Sequence, residues 1–141
     1  MKSTSMNSLR GVLENYDFTG FGKVADIGGG FGHLAIALLE KYPLLQAAVL
    51  DVPDVVSVAP GRVPTTDPTV PKRLEYFAGD MFKSVPPADV YIMKLVLLTG
   101  RERTEAQWND LYRQAGREVR SITSIHDDVG TSIVEGVKHQ S

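Results

Sequence analysis

The segment from Val24 to His33 constrains the fold more than any other part of this chain. An apolar run leads into Asp26, then into a glycine-rich stretch, and then into apolar residues at helical spacing. This order predicts a strand, a tight loop and a helix. A strand, glycine loop and helix of this kind let the backbone approach a ligand closely and point unpaired amide N–H groups at the ligand. The segment therefore predicts a β–α unit with a ligand site at its loop.

Three interpretations of this loop compete: a dinucleotide site, an S-adenosylmethionine (SAM) site, and a tight turn without a ligand. A dinucleotide site requires the pattern G-x-G-x-x-G. Gly28 and Gly30 fit that pattern, but His33 stands at the third glycine position. The loop instead resembles the D-x-G-x-G-x-G motif of class I SAM methyltransferases, which falls here on Asp26, Gly28, Gly30 and Gly32. We favour the SAM site and keep the other two as alternatives.

Composition excludes several kinds of site. The 141 residues carry a formal net charge of −2 with no basic run, so nothing indicates a nucleic-acid surface or a polybasic membrane anchor. The absence of cysteine excludes disulfides, thiolate metal sites and a cysteine nucleophile. No apolar run has the length of a signal peptide, and none reaches the roughly 18 residues of a spanning helix. We expect one cytoplasmic domain over residues 1–141.

Apolar runs and amphipathic patterns predict the other elements. Strands are predicted at 23–27, 47–52, 74–78 and 88–98, a lead-in helix at 6–16, helices at 32–42 and from 104, and a terminal hairpin at 118–125 and 132–137. The proline-rich stretch from 53 to 71 is predicted as loop with a helical turn at 55–59. This order predicts an α/β fold with a mainly parallel sheet and a C-terminal antiparallel hairpin.

Polar residues follow the ends of the predicted strands, where ligands of open α/β sheets lie. Asp51 can accept both hydroxyls of a ribose, with a helix-capping or loop aspartate as the alternative. Asp80 can accept from an adenine amino group while Met81 and Phe82 cover the ring. Lys94 lies in an otherwise apolar run and needs an anionic or carbonyl partner, or a position at a strand end.

The chain resembles the catalytic domain of the small-molecule O-methyltransferases of plants and bacteria, which include caffeate, flavonoid, acetylserotonin and polyketide methylating enzymes. The matching stretches are VADIGGGFGHLAIALLEKYP, AVLDVPDVV, RLEYFAGDMFKSVPPADVYIMKLVLL, GRERTEAQWNDLYRQAG and SIVEG. The resemblance implies a Rossmann-like class I fold, SAM as cofactor, S-adenosylhomocysteine (SAH) as product, and a small hydroxylated acceptor. It implies a cofactor site made of Asp26, Gly28, Gly30, Gly32, Asp51, Val52, Gly79, Asp80, Met81, Phe82 and Lys94.

Two departures from the family pattern limit what the resemblance implies. Family members carry a further N-terminal helical domain that dimerises and closes the acceptor pocket, and we expect this chain to lack it. The family's general base is a histidine just after the fourth strand, and the aligned residue here is Leu98. Thr99 follows at once with a stretch that the family carries much later. We therefore expect an internal segment with the fifth strand to be missing, and no catalytic residue is assigned.

The missing strand leaves two arrangements for the C-terminal hairpin. It docks directly on the fourth strand, or the fourth strand keeps an exposed edge that favours a swapped or edge-paired homodimer. We expect none of His33, His126 and His139 to replace the base, and we expect no metal site. The sequence thus predicts a SAM-dependent O-methyltransferase domain with impaired base catalysis. The alternatives are a non-catalytic SAM-binding domain and a related protein that uses SAM for another reaction.

Overall fold

The computed structural model describes residues 2–80, 83–94, 110, 112–124 and 131–138, and the elements below are those of this part of the chain. The helices are α1 (Lys2–Asn15), α2 (His33–Lys41), α3 (Pro53–Val56) and α4 (Val70–Arg73). The strands are β1 (Lys23–Ile27), β2 (Gln46–Asp51), β3 (Leu74–Ala78), β4 (Val90–Lys94), β5 (Arg117–Ser124) and β6 (Thr131–Lys138).

The strands form one six-stranded sheet in the order β3-β2-β1-β4-β6-β5. β1 pairs in parallel with β2 and with β4, and β2 pairs in parallel with β3. β6 is antiparallel to both β4 and β5. The predicted α/β class, with a mainly parallel sheet and a C-terminal antiparallel hairpin, is confirmed. The strand order reverses between β1 and β4, so the crevice at the carboxyl ends of these strands is the expected ligand position.

The C-terminal hairpin docks directly on the fourth strand. The register runs from Val90 opposite Glu135 to Lys94 opposite Thr131, while β1 pairs along the other side of β4. β4 is therefore paired on both sides over its described length. Of the two arrangements that the sequence left open, the structure shows direct docking, and over Val90–Lys94 β4 has no exposed edge because β6 supplies the hydrogen-bonding partner. The homodimer hypothesis loses the edge on which it was based.

Most predicted element bounds agree with the structure, and the differences involve proline or the strand ends. β1 and β3 have the predicted bounds, while β2 is shifted by one residue and the predicted helical turn at 55–59 begins earlier, at Pro53. Proline is favoured at the first helical position because no intrahelical donor is needed there. The same reason explains α4, which forms around Pro71 in a stretch predicted as loop. Residues 95–98 of the predicted fourth strand, and residues 101–109, lie outside the described part.

Apolar layers cover both faces of the sheet. Alternate residues of β1 face opposite sides: Val24 packs with Leu38 and Leu39 of α2, and Ala25 packs in the layer that holds Tyr91 and Tyr112. Strands that are buried on both faces read as continuous apolar runs, which is why β1, β2 and β4 were recognisable in the sequence. Within the described residues, no helix is long and apolar enough to cross a membrane.

Asp89 links β1 and the C-terminal hairpin at the amino-terminal end of β1. One of its carboxylate oxygens accepts hydrogen bonds of 3.0 Å from the amides of Gly22 and Lys23. The other oxygen lies 3.5 Å from a guanidinium nitrogen of Arg117, at the start of β5. The residue before β4 thus joins β1 to the hairpin, at the end of the sheet opposite the glycine loop.

Candidate functional site

The glycine loop, residues 28–32, connects β1 to α2 at the carboxyl edge of the sheet. Gly28, Gly30 and Gly32 have φ angles of 74°, 62° and 95°. A side chain at such angles costs roughly 1–2 kcal/mol per residue, so the backbone itself requires glycine at these alternate positions. No residue other than glycine has a positive φ in the described part of the chain.

Asp26 lies beneath the glycine loop. Its side chain is 3% exposed, and a Cβ added to Gly29 would lie 2.7 Å from its Oδ2 atom. A real Cβ cannot come so close, so Gly29 is required by this contact although its φ is not positive. The structure therefore places Asp26 against the loop backbone, below the surface that a ligand would meet.

Three amides of the loop donate hydrogen bonds within the chain. Gly28 donates to the carbonyl of Leu50 at 2.7 Å, and Gly32 donates to the carbonyl of Gly29 at 3.1 Å. Gly30 donates to the carboxylate of Asp51 at 2.8 Å. The expectation that the loop points unpaired amides at a ligand is wrong for these three, because β2 and the loop itself supply their acceptors. A pyrophosphate, which needs such amides, is a poor fit.

Asp51, the last residue of β2, lies beside the loop as the sequence predicted. Its Oδ2 atom accepts from Gly30, and its Oδ1 atom accepts from the amide of Val52 at 2.7 Å. A carboxylate has about four acceptor positions, so two remain for ligand hydroxyls. The helix-cap alternative is not supported, because Val52 is the N-cap of α3 and no side chain caps that helix. Val52 is 52% exposed next to the carboxylate.

The end of β3 lies next to the end of β2. The amide of Gly79 donates to the backbone carbonyl of Asp51 at 3.0 Å, which brings partly buried Asp80 to the same edge of the sheet. The carbonyl of Asp80 accepts from the amide of Lys83 at 2.9 Å and so begins a turn. Met81 and Phe82 lie outside the described residues, and their place over an adenine ring stays a prediction.

The fourth predicted site residue, Lys94, follows Met93, which pairs with Ile27 at the end of β1, so the backbone of Lys94 lies at the carboxyl edge of the sheet. Its side chain and all of Leu98 lie outside the described part of the chain. The strand-end position is one of the two that the sequence analysis allowed for a lysine in an apolar run. The carboxyl ends of four neighbouring parallel strands thus carry the candidate site.

The described side chains make this edge acidic. Asp51 ends β2 and Asp80 follows the end of β3 by two residues, while Asp26, near the end of β1, lies buried beneath the loop. A concentration of carboxylates at one edge favours hydroxyl donors and positively charged groups and disfavours phosphates. In the residues that the structure describes, no cluster of three or more metal-ligating side chains is found.

Tyr76 is a site residue that the sequence analysis missed. It lies in the middle of β3, and its hydroxyl donates to the carbonyl of Phe31 at 2.8 Å. Burial raises the pKa of Tyr76, so the hydroxyl keeps its proton at neutral pH. The only signal in the sequence was a hydroxyl-bearing side chain inside a short strand, which does not specify a partner 45 residues away.

The candidate site residues, from Asp26 to Lys94, all lie in the part of the chain that matches a known protein family. A sequence model of the O-methyltransferase domain matches residues 1–99. Acetylserotonin O-methyltransferase of Bos taurus is 34% identical over 111 residues, which are 78% of this chain and 30% of that protein. The mitomycin biosynthesis 6-O-methyltransferase of Streptomyces lavendulae is 39% identical over 98 residues, 69% of this chain and 28% of that protein.

Solved structures share the fold. The mitomycin 7-O-methyltransferase MmcR superposes with a TM-score of 0.62 at 23% identity, over 96% of this chain and 54% of that chain. Human N-acetylserotonin methyltransferase, solved in complex with SAM, superposes with a TM-score of 0.57 at 21% identity, over 94% of this chain and 52% of that chain. This chain spans about half the length of these structures and less than a third of the curated relatives above.

Proposed function

The chain belongs to the O-methyltransferase domain family, and on that premise we propose that it binds SAM at the glycine loop and methylates a hydroxyl group of a small aromatic or polyketide-like molecule. One observation carries the cofactor assignment: the Asp51 carboxylate is held 2.8 Å from the amide of Gly30, beside a loop whose glycines adopt positive φ. A carboxylate that can accept hydrogen bonds from ligand hydroxyls therefore lies next to a loop backbone that carries no side chains.

The described residues fit SAM better than a dinucleotide. SAM carries positive charge on its sulfonium and ammonium groups, which suits an edge with Asp51 and Asp80. Asp51 would accept the ribose hydroxyls, and Gly28 and Gly30 have no protein atom within 4 Å of where a Cβ would project, which leaves room for the methionine part. When bound, SAM supplies an electrophilic methyl group.

The remaining contacts are proposed from the resemblance. Gly32 would complete the loop, Val52 and Gly79 would border the nucleoside, and Asp80 would accept from the adenine amino group. The residues whose side chains lie outside the described part complete the proposed site: Met81, Phe82 and Lys94.

The acceptor class is supported by what the relatives act on. The relatives include an acetylserotonin O-methyltransferase, a mitomycin biosynthesis 6-O-methyltransferase and a trans-resveratrol di-O-methyltransferase. One solved relative, NcsB1 from neocarzinostatin biosynthesis, was crystallised with SAM and a hydroxy-methyl-naphthoic acid. A nicotinate N-methyltransferase of Glycine max is 37% identical over 101 residues, so the acceptor assay should include a ring nitrogen beside the phenols.

Proton removal is the step for which this chain offers least. Leu98 stands at the aligned position of the family's histidine, and an aliphatic side chain cannot take a proton. Positioning of the acceptor against the methyl group and exclusion of water would then supply the rate. A phenol ionises with a pKa of about 10, so we expect the rate of methyl transfer to rise with pH as the acceptor loses its proton without the help of a base.

A non-catalytic SAM-binding domain is the second candidate. The direct pairing of β4 with β6 favours it, because no strand of the described chain lies between them to carry acceptor-site residues. SAH binding without turnover of any phenol would support this candidate. Turnover of SAM without methylation would support the third interpretation, use of SAM for another reaction.

A calorimetric titration with SAH, with NAD as the control ligand, tests the cofactor assignment. We expect saturable SAH binding, no NAD binding, and SAH binding that is roughly ten- to a hundredfold weaker in Asp51→Ala. Asp54→Ala is the matched control, because Asp54 is an exposed aspartate three positions later in α3. NAD binding, or equal SAH affinity in both variants, would contradict the assignment.

Three further proposals concern the whole chain. We propose one cytoplasmic domain, with a lead-in at residues 1–22, a cofactor-binding half at 23–98 and a C-terminal part at 99–141. A homodimer would have to use an edge other than β4, such as the outer edge of β3 or β5. Light scattering of the purified chain tests for such a homodimer, and a monodisperse monomer would contradict the homodimer proposal.

A further inference from the structure

We propose that Tyr76 is a positioning residue for the cofactor, which fixes the glycine loop in its binding conformation by donating its hydroxyl hydrogen to the carbonyl of Phe31. The inference rests on the proposed function, because it takes the loop to be the cofactor site. It adds a residue of β3 to that site, at a distance of 2.8 Å from the loop backbone.

The first step of the argument is the way the loop is attached. Gly28 is bonded to Leu50 and Gly30 is bonded to Asp51, so β2 holds the first half of the loop through donors of the loop. Phe31 is held through its carbonyl by Tyr76. The loop is thus attached at three successive points, and the last of them comes from β3.

The second step is the close fit at the start of α2. A Cβ added to Gly32 would lie 2.9 Å from the hydroxyl oxygen of Tyr76 and 3.6 Å from its ring. Tyr76 therefore occupies the space that any larger residue at this position would need. Glycine at position 32 is therefore what lets the Tyr76 hydroxyl approach the start of α2.

The third step is a second contact on the same loop residue. The guanidinium carbon of Arg62 lies 5.5 Å from the centroid of the Phe31 ring. A cation at this distance from a ring face is attracted to it. Phe31 is therefore held by Tyr76 through its backbone and by Arg62 through its side chain, and both contacts come from beyond β2 in the chain.

The consequence is a loop that is arranged before the ligand arrives. Loops that must be ordered on binding reduce affinity by the cost of ordering them. Loss of one hydrogen bond of ordinary strength from the loop should weaken ligand binding by roughly three- to tenfold. The change should appear in affinity at a temperature where the whole fold is intact.

The experiment compares Tyr76→Phe with Tyr91→Phe in the full chain. Tyr91 also donates its hydroxyl hydrogen to a backbone carbonyl, that of Pro86 at 2.8 Å, but it lies early in β4, opposite Ala25 of β1 and away from the loop. Both variants lose one hydroxyl. The measurements are the Kd for SAH, the thermal midpoint, and the amide NMR signals of Gly28, Gly30 and Gly32.

We expect Tyr76→Phe to raise the Kd for SAH roughly three- to tenfold and to shift the three glycine signals. Tyr91→Phe should lower the thermal midpoint but leave the Kd and these signals unchanged. An unchanged Kd in Tyr76→Phe, while the unaltered protein binds SAH, would overturn the inference and leave the proposed function standing. Absence of SAH binding by the unaltered protein would overturn the proposed function and, with it, the role of Tyr76 toward the cofactor.

Discussion

The carboxylate of Asp51 accepts a 2.8 Å hydrogen bond from the amide of Gly30, so the last residue of β2 holds the middle of the loop that follows β1. One side chain therefore has two tasks in this site. It fixes the loop through one oxygen, and in the proposed function its remaining acceptor positions would receive ligand hydroxyls. Removal of the carboxylate and removal of its charge are then separate perturbations, and variants can distinguish them.

Asp51→Asn should bind SAH more weakly than the unaltered protein and more tightly than Asp51→Ala. The amide oxygen of asparagine can still accept from Gly30, whereas alanine leaves that amide without its acceptor. We expect each step to weaken binding by about three- to tenfold, which corresponds to one hydrogen bond. Calorimetric Kd values of the three proteins give the order, and equal affinities for the asparagine and alanine variants would contradict the loop-fixing task.

Gly32→Ala should lower the free energy of unfolding by about 2–3 kcal/mol, because the new Cβ meets both an unfavourable φ and the Tyr76 hydroxyl. Gly116→Ala is the control, since Gly116 also has a positive φ of 80° but no atom within 4 Å of the added Cβ. Its loss should be limited to about 1–2 kcal/mol. Urea unfolding of both variants measures the difference.

The double variant Gly32→Ala with Tyr76→Phe tests the same contact from the other side. Removal of the hydroxyl relieves the clash at 2.9 Å, and the next nearest atoms of the ring are 3.6 Å away. The loss of unfolding free energy in the double variant should therefore be smaller than the sum of the losses in the two single variants, by about 0.5 kcal/mol or more. Strict additivity in urea unfolding would show that the two residues do not interact.

Asp89→Ala should lower the free energy of unfolding by about 1–3 kcal/mol, because two amides lose their acceptor and Arg117 loses its partner. Asp110→Ala is the matched control. Its ion pair with Arg113 is exposed on both sides, and such pairs contribute about 0–1 kcal/mol. If both variants lost equally little stability in denaturant unfolding, Asp89 would not fasten the sheet.

Alkaline pH should destabilise the fold through Tyr91. Burial raises the pKa of this hydroxyl from 10.0 to about 12, so the unfolded chain loses the proton at lower pH than the folded chain does. The contribution is fully present below pH 10 and is lost as the pH rises toward 12. Urea unfolding from pH 8 to 11.5 should show a smaller loss above pH 10 in Tyr91→Phe, whereas an unchanged slope would contradict the assignment.

Local patterns predicted those parts of the site that lie next to one another in the chain. The strand, the glycines and the helix from Val24 onward were recognisable because a turn with positive φ needs glycine, and because strands buried on both faces are continuously apolar. Asp51 was predicted from its place at a strand end, since parallel strands bring their carboxyl ends to one edge. These inferences depend on periodicity and on one rule of sheet topology.

Contacts that join distant segments were decided by the tertiary structure. The sequence predicted unpaired loop amides, but β2 lies close enough for Leu50 and Asp51 to accept from them. It gave no sign that Tyr76 would reach Phe31 or that Asp89 would meet Arg117. Which hydrogen bond a polar group makes depends on the register of strands and on side-chain packing, and neither follows from local spacing.

The C-terminal hairpin shows most clearly which features the sequence determined and which the tertiary structure decided. Sequence by itself determined that two strands end the chain as a hairpin and that the fourth strand needs a partner, because its residues are apolar on both faces. It left open whether that partner would be the hairpin or another molecule. Only the tertiary structure decided for β6, whose Ile133 and Val134 are buried beside β4, since pairing within the chain satisfies the backbone of β4 and buries both apolar faces at once.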